Sequence, residues 1–404
     1  MGIRQARPWG FSPDGLPFTF PADVRVFGHP GPNPDPGEIM LQVGIVGLPN
    51  VGKSTLFNAL TTAGAPAENY PFCTVEPNVG VVEVPDSRLG VIHALTGSAS
   101  SVPAHIRFVD IAGLVRGASQ GEGLGNRFLA QIRDVDAVAQ VLRCFEDPDV
   151  THVMGTVDPL RDMEVVETEL ALADLETLDR RREKVEKKAR SGEKGAKREL
   201  DFLDLLHGHL SGGEPIRALR VPPENLPILL DLGLLTAKPV LYVANVGEAG
   251  MGDELPEFRR LTEAGIGEGG RSALVKVSSR IEAELALLDP VEREEFLLEL
   301  GWRKTGLERV IRGGYELLDL ITFFTSNEKE SRAWTVPRGT RAPEAAGKIH
   351  TDFQRGFIRA ETIGFREFEL ARSMRAAREQ GIIRSEGRDY VVEDGDLIFF
   401  RFNV

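Results

Sequence analysis

Gly47-Leu48-Pro49-Asn50-Val51-Gly52-Lys53-Ser54 decides how this chain is read. It follows an apolar run of strand length, residues 41–46, and opens a helical stretch, residues 55–63. The glycines and the lysine therefore stand in the strand–loop–helix context of a P-loop. Glycine lets the backbone wrap closely round phosphate, so that the N–H groups of Asn50, Val51, Gly52 and Thr55 and the helix N-terminus point at negative charge. In that arrangement Lys53 reaches the β- and γ-phosphates and the Ser54 hydroxyl binds Mg²⁺.

Outward from the loop, short apolar runs rich in β-branched residues recur at 79–84, 106–109, 137–142, 240–244 and 273–277. They are too apolar to leave one face in water, which predicts an α/β domain with a mainly parallel sheet covered on both sides, the P-loop NTPase class. The alternation stops between residues 158 and 210, where apolar residues recur at helical spacing. Ser191-Gly192-Glu193-Lys194-Gly195 breaks that stretch and predicts an inserted helical hairpin. Alternating runs at 321–325, 333–336, 357–361, 390–392 and 397–402, with a helical stretch at 365–379, predict a small C-terminal α+β domain. The expected division is a Pro/Gly-rich tail at 1–39, a nucleotide-binding domain at 40–157 and 213–318, a hairpin at 158–212, and the last domain at 319–404.

Composition narrows the class. The 404 residues are 42% hydrophobic and 27% charged, with a net charge of −13. No run has the length of an uncharged membrane span, and two cysteines exclude a disulfide framework or a Cys-rich zinc site. A cytoplasmic protein is expected, without membrane or DNA as partner. Position six of the tail is Ala6, where a myristoylation signal needs Ser or Thr, and Met40 stands where a start would also fit.

Two further segments fit a switch NTPase. The run 105–109 ends in Asp110-Ile111-Ala112-Gly113, where Asp110 is placed to hold Mg²⁺ and the Gly113 N–H to approach a γ-phosphate. Between it and the P-loop lies Asn69-Tyr70-Pro71-Phe72-Cys73-Thr74, with Thr74 the candidate metal ligand of a first switch. The glycine-rich stretch after Leu114 suits a second.

These motifs, with Asn126-Arg127-Phe128-Leu129 and Ala346-Gly347-Lys348-Ile349-His350-Thr351-Asp352-Phe353, resemble the YchF/Obg-like ATPase family from Leu41 to the C-terminus. The resemblance implies an Obg-type nucleotide-binding domain, an inserted hairpin and a TGS domain of ubiquitin-like β-grasp fold. It also implies a Mg²⁺-dependent ATPase switch that associates with ribosomes. GTPases of this class carry Asn-Lys-x-Asp after a strand; here Asn245-Val246-Gly247-Glu248 stands in that place. The lysine is gone and the carboxylate is one methylene longer, so guanine selection suffers. Asn245 is expected to pair with the adenine edge, Val246 to line the base, Glu248 to stand beside it, and Ser278 to belong to the loop closing over it.

Leu114 occupies the position where small GTPases have a water-orienting glutamine, so turnover is expected to be slow and no general base is assigned. A partner, a monovalent cation such as K⁺ near Asn50, or another residue must supply the missing stabilisation. Residues 180–198 carry ten Lys/Arg against three Glu, a basic arm suited to RNA phosphates. The ribosome is thus the expected partner, through hairpin and TGS domain. Two other readings stay open: an Obg-type GTPase of ribosome assembly, and a nucleotide-sensing scaffold with negligible turnover.

Overall fold

The computed structural model describes residues 41–63, 78–111, 124–251, 255–268, 271–302 and 304–403. Residues 1–39, Thr74, Gly113 and Leu114 lie outside them. Seven strands fall in the first part of the chain: β1 (Gln42–Val46), β2 (Val79–Glu83), β3 (Ser100–Val102), β4 (His105–Asp110), β5 (Ala137–Cys144), β6 (Val240–Val246) and β7 (Ser272–Val277). Ten helices accompany them: α1 (Lys53–Ala63), α2 (Ser87–Thr96), α3 (Leu124–Asp134), α4 (Pro159–Arg190), α5 (Ala196–Ser211), α6 (Leu226–Leu232), α7 (Pro256–Glu263), α8 (Ser279–Leu285), α9 (Pro290–Glu299) and α10 (Gly306–Leu317). The strand order is β2-β4-β1-β5-β6-β7, with β1/β5, β5/β6 and β6/β7 parallel. Every residue of β5 and β6 is buried, as expected of strands covered on both faces.

The hairpin forms because its two arms share one apolar seam and their junction cannot continue a helix. Asp158 caps α4 and Pro159 fills its first turn, while Gly192 and Gly195 adopt positive φ between the arms. Leu178 and Val185 pack against Phe202, Leu203, Leu206 and Leu210, and the seam continues onto Ile216, Leu226 and Leu229. Each such side chain stabilises the fold by roughly 1.5–3 kcal/mol. Two buried polar groups fix the base of the hairpin. Asp174 accepts from the Leu235 and Thr236 backbone N–H groups at 2.8 Å and from the Thr236 hydroxyl at 2.7 Å. Glu167 accepts from Arg217 and from the Tyr242 hydroxyl of β6.

The C-terminal part adds β8 (Leu320–Ser326), β9 (Glu330–Pro337), α11 (Ala342–Ile349), α12 (Thr351–Arg355), β10 (Phe357–Gly364), α13 (Phe365–Ala371), α14 (Met374–Glu379), β11 (Arg384–Glu386) and β12 (Asp396–Phe402). Its sheet runs β11-β10-β12-β8-β9-β3, with β8 and β12 parallel and β8/β9 and β10/β12 antiparallel. Ala342, Ala345 and Ala346 are fully buried, small enough for α11 to close onto Ile321, Phe323, Val336 and Ile398.

Three details differ from expectation. Residues 390–392 make one isolated bridge, Val391 to Arg341, rather than a strand. The stretch 365–379 breaks into two helices because Arg372 turns left-handed at φ 63° and the Ser373 hydroxyl caps the second at Ala376 N. The domain boundary also moves. The described chain forms two compact units, one with residues 42–80 and 108–317, the other joining 81–107 to 318–404. The cause lies in β3, which pairs in parallel with β9, Ser100 opposite Glu330. Beside it, the Ser331 hydroxyl bonds those of Ser98 at 2.9 Å and Ser326 at 2.8 Å, and the Thr96 hydroxyl bonds both Ser326 and Ser331. Arg88 at the start of α2 holds Asp394 with both terminal nitrogens.

Candidate nucleotide-binding site

The end of β1 runs into a loop that only its own residues tolerate. Gly47 sits at φ 149°, where a Cβ would stand 2.6 Å from the Val141 carbonyl oxygen of the neighbouring strand. Asn50 is left-handed at φ 62°, and Gly52 at φ 97° leads into α1, whose first bond runs from Leu56 N to Gly52 O. Ser54 and Thr55 are exposed at the helix N-terminus, where free N–H groups favour an anion. Lys53 folds along the loop, its Nζ donating to Gly47 O at 3.0 Å and Leu48 O at 2.9 Å. Burial pushes its ammonium below the usual lysine range, with Asp110 working against that.

Asp110 ends β4 beside this loop. Its Oδ2 accepts from the Ser54 hydroxyl at a long 3.4 Å, and its buried Oδ1 has no hydrogen-bond partner among the described residues. Burial pushes the carboxyl above its usual range, opposed by Lys53 and Ser54. A carboxylate with a spare oxygen, next to a serine hydroxyl and a phosphate-binding lysine, fits a divalent cation held between protein and nucleotide.

On the opposite side, Asn245 is tied into the protein by its own amide. Its Nδ2 donates to Val51 O at 2.8 Å and its Oδ1 accepts from Ser279 N at 3.0 Å, and the residue is 4% exposed. Each end of the amide makes one bond inside the protein, so the residue braces the P-loop against the β7–α8 turn. The approach is so close that a Cβ on Gly52 would lie 2.2 Å from Asn245 Nδ2. Val246 is likewise buried at the strand end, 2% exposed. Glu248 is exposed and pairs with Arg280 Nε at 3.2 Å. Ser278 is fully buried, and its hydroxyl and that of Ser279 have no partner among the described residues.

Arg143 went unnoticed in the sequence, although an arginine inside Ala137–Cys144 is the one charge in an otherwise buried strand. Its guanidinium stacks over Phe145 at 4.5 Å, donates to Phe145 O at 3.1 Å and reaches Asn50 O and Asp147 O at 3.5 Å. The Asn50 amide in turn donates to Thr151 O at 3.1 Å, so the left-handed residue is held from two directions. The adjacent His152 accepts from Met154 N at Nδ1, which leaves Nε2 as the protonated nitrogen facing Asp162 at 2.7 Å. Gln140 Nε2 donates to Met163 O of α4 at 3.5 Å.

Known proteins resemble this chain. The profile of a family described as "50S ribosome-binding GTPase" matches residues 42–187, and that of YchF-GTPase_C, a family described as of unknown function, matches residues 320–403. A ribosome-binding ATPase YchF of Escherichia coli O157:H7 is 52% identical over 361 residues, 89% of this chain and 99% of that protein. One from Bacillus subtilis (strain 168) is 48% identical over 366 residues, 90% of this chain and all of the relative. The solved Schizosaccharomyces pombe YchF GTPase superposes with a TM-score of 0.80 at 36% identity, covering 93% of this chain and 99% of its own.

Proposed function

The chain belongs to the YchF family, and from that membership we propose an ATP-binding, slowly ATP-hydrolysing switch that associates with ribosomes. The observation that carries the nucleotide half is the P-loop held open by Asn245 beside the spare oxygen of Asp110. Ser54 and Asp110, with Thr74, are the side chains that would hold Mg²⁺, which when bound neutralises phosphate charge. The Gly113 N–H is assigned to the γ-phosphate, and a monovalent cation such as K⁺ near Asn50 remains part of the reading.

Preference for ATP rests on what the base side lacks. Guanine recognition needs a free carboxylate accepting from two donors, with a lysine packed over the ring. Here Glu248 is tied to Arg280 and Val246 stands where the lysine would be. Adenine asks for less, and Ser278 and Ser279 supply uncommitted hydroxyls next to the brace. Leu114 in place of the water-orienting glutamine keeps intrinsic turnover slow.

The ribosomal half rests on the hairpin tip. Arg181, Arg182, Lys188 and Arg190 pair with carboxylates, but the exposed Arg180, Lys184, Lys187, Lys194 and Lys197 have no ion pair among the described residues. That surplus suits RNA phosphates, with the TGS domain as a second contact, and a cytoplasmic location belongs to the same reading. The deciding experiment measures ATP and GTP affinity and turnover with and without ribosomes and K⁺. Tighter GTP binding would favour an Obg-type GTPase of ribosome assembly, which the "50S ribosome-binding GTPase" description supports. Absence of single-turnover hydrolysis would leave a nucleotide-sensing scaffold. Unchanged sedimentation with ribosomes after reversing the charges of residues 180–198 would remove the arm from the reading.

A further inference from the structure

Eleven large apolar side chains are exposed among the described residues, and four of them fall within fourteen positions: Leu287 at 80%, Val291 at 67%, Leu298 at 72% and Leu300 at 38%. Val291 and Leu298 stand seven residues apart on α9, two turns along one face, with Glu294 and Glu295 between them. Together the four expose on the order of 400 Å² of surface, in the range of the largest patches on a typical monomer, which are often functional. Elsewhere in the described chain exposed apolar residues are scattered, which needs no explanation.

The charge around this patch identifies what it fits. Residues 284–300 contain six carboxylates and one cation, a net charge of −5. The cation is withdrawn, since Arg293 donates to Leu285 O at 3.1 Å and to Leu288 O at 3.3 Å. Glu294, Glu295 and Glu299 have no ion pair among the described residues. Nucleic acid and an anionic membrane are repelled by such a surface. A second copy of this chain carries a net charge of −13, and its strongly basic hairpin tip, residues 180–198, exposes no large apolar side chain.

We propose that the α9 face docks a basic polypeptide that also presents apolar side chains, a ribosomal protein segment being the source. This rests on the ribosome association proposed above and adds a protein contact to the RNA contact of the hairpin. Apolar anchors ringed by charge of one sign are how such interfaces combine affinity with selectivity.

The test uses the full chain with ATP and purified 70S ribosomes. A photo-crosslinking residue at position 298 is expected to yield an RNase-resistant adduct with a basic ribosomal protein. The double variant Val291→Asp with Leu298→Asp, at exposed positions that tolerate charge, is expected to sediment with ribosomes at least five-fold more weakly at unchanged ATP affinity. An RNase-sensitive adduct, an adduct only with a second copy, or no adduct from sedimenting protein overturns the proposal, as does a variant that sediments like wild type. Wild-type protein that never sediments removes ribosome association itself and this partner with it, whereas sedimenting wild type with a silent variant removes the α9 contact alone.

Discussion

Replacing Asn245 by alanine separates a brace from a base reader. The substitution deletes two buried hydrogen bonds, 2.8 Å to Val51 O and 3.0 Å to Ser279 N, and leaves both backbone partners without a mate. Orphaning a buried backbone group costs about 1–3 kcal/mol, so the pair amounts to about 3 kcal/mol once a water recovers part of the loss. If the ordered P-loop then falls to about 1–10% of the population, apparent affinity drops 10- to 100-fold, in proportion to the competent fraction. A brace acts on phosphates that ATP and GTP share. Both nucleotides should therefore weaken in parallel, with their affinity ratio held within about threefold, or roughly 0.6 kcal/mol. Titration of fluorescent ATP and GTP analogues with Mg²⁺ against wild type and Asn245→Ala measures the ratio directly. A shift of tenfold or more in the ratio, or a loss confined to ATP, would show that Asn245 contacts the base and refute the argument.

Three further outcomes follow from other contacts. Gly52→Ala drives a Cβ to 2.2 Å from Asn245 Nδ2 at φ 97°, so it should reproduce the Asn245→Ala loss; adding it to Asn245→Ala should cost much less than the sum of the two, and additive losses would deny that they act on one contact. Burial raises the Asp174 carboxyl from 3.8 to about 6 against the bonds of Thr236 and Leu235, so its stabilising contribution is present below about pH 4 and lost as pH rises through about 6. Chemical denaturation of wild type and Asp174→Asn at pH 4 and pH 7 should therefore differ in relative stability by about 2 kcal/mol, wild type losing ground as pH rises, and a flat difference would be fatal to this account. Asp394→Ala removes the Arg88 pair and the 2.9 Å bond from Thr322 N; about 1–3 kcal/mol of local stability should disappear, seen as faster hydrogen exchange at residues 97–102, and unchanged exchange there would contradict it.

How much of this was legible in the sequence depends on range along the chain. The P-loop reads directly because glycine, lysine and serine act within eight residues on a local backbone, and the apolar strands read because burial on both faces leaves no polar alternation. The helical hairpin reads from its apolar spacing and its glycine break. The brace does not read that way, since Asn245 meets Val51 across 194 positions and a motif states only that an asparagine is present. Arg143 was visible as an oddity in a buried strand, but its purpose needs the position of Asn50. Strand β3 was invisible. Ser100, Ser101 and Val102 carry too little apolar pattern, and only the ladder to β9 makes them a strand. The reading of 390–392 erred the other way, because Glu393, Asp394 and the positive-φ Gly395 turn the chain before a ladder forms.

That β3–β9 pairing has a consequence in the order of synthesis. Helix α2 and β3 leave the ribosome about 230 residues before the strand they pair with, a wait of roughly 10–50 s at 5–20 residues per second. Through that interval the Ser98 hydroxyl lacks Ser331 and the β3 edge lacks its ladder, so the C-terminal sheet closes only when nearly the whole chain exists. A nonsense product ending after α10 would carry the nucleotide loop together with an unsatisfied sheet edge, the kind of surface that aggregates or is degraded. Discontinuity of the second unit thus works as a completeness check: only a full-length chain hides both the loop-bearing unit's excursion and the strand that ends it.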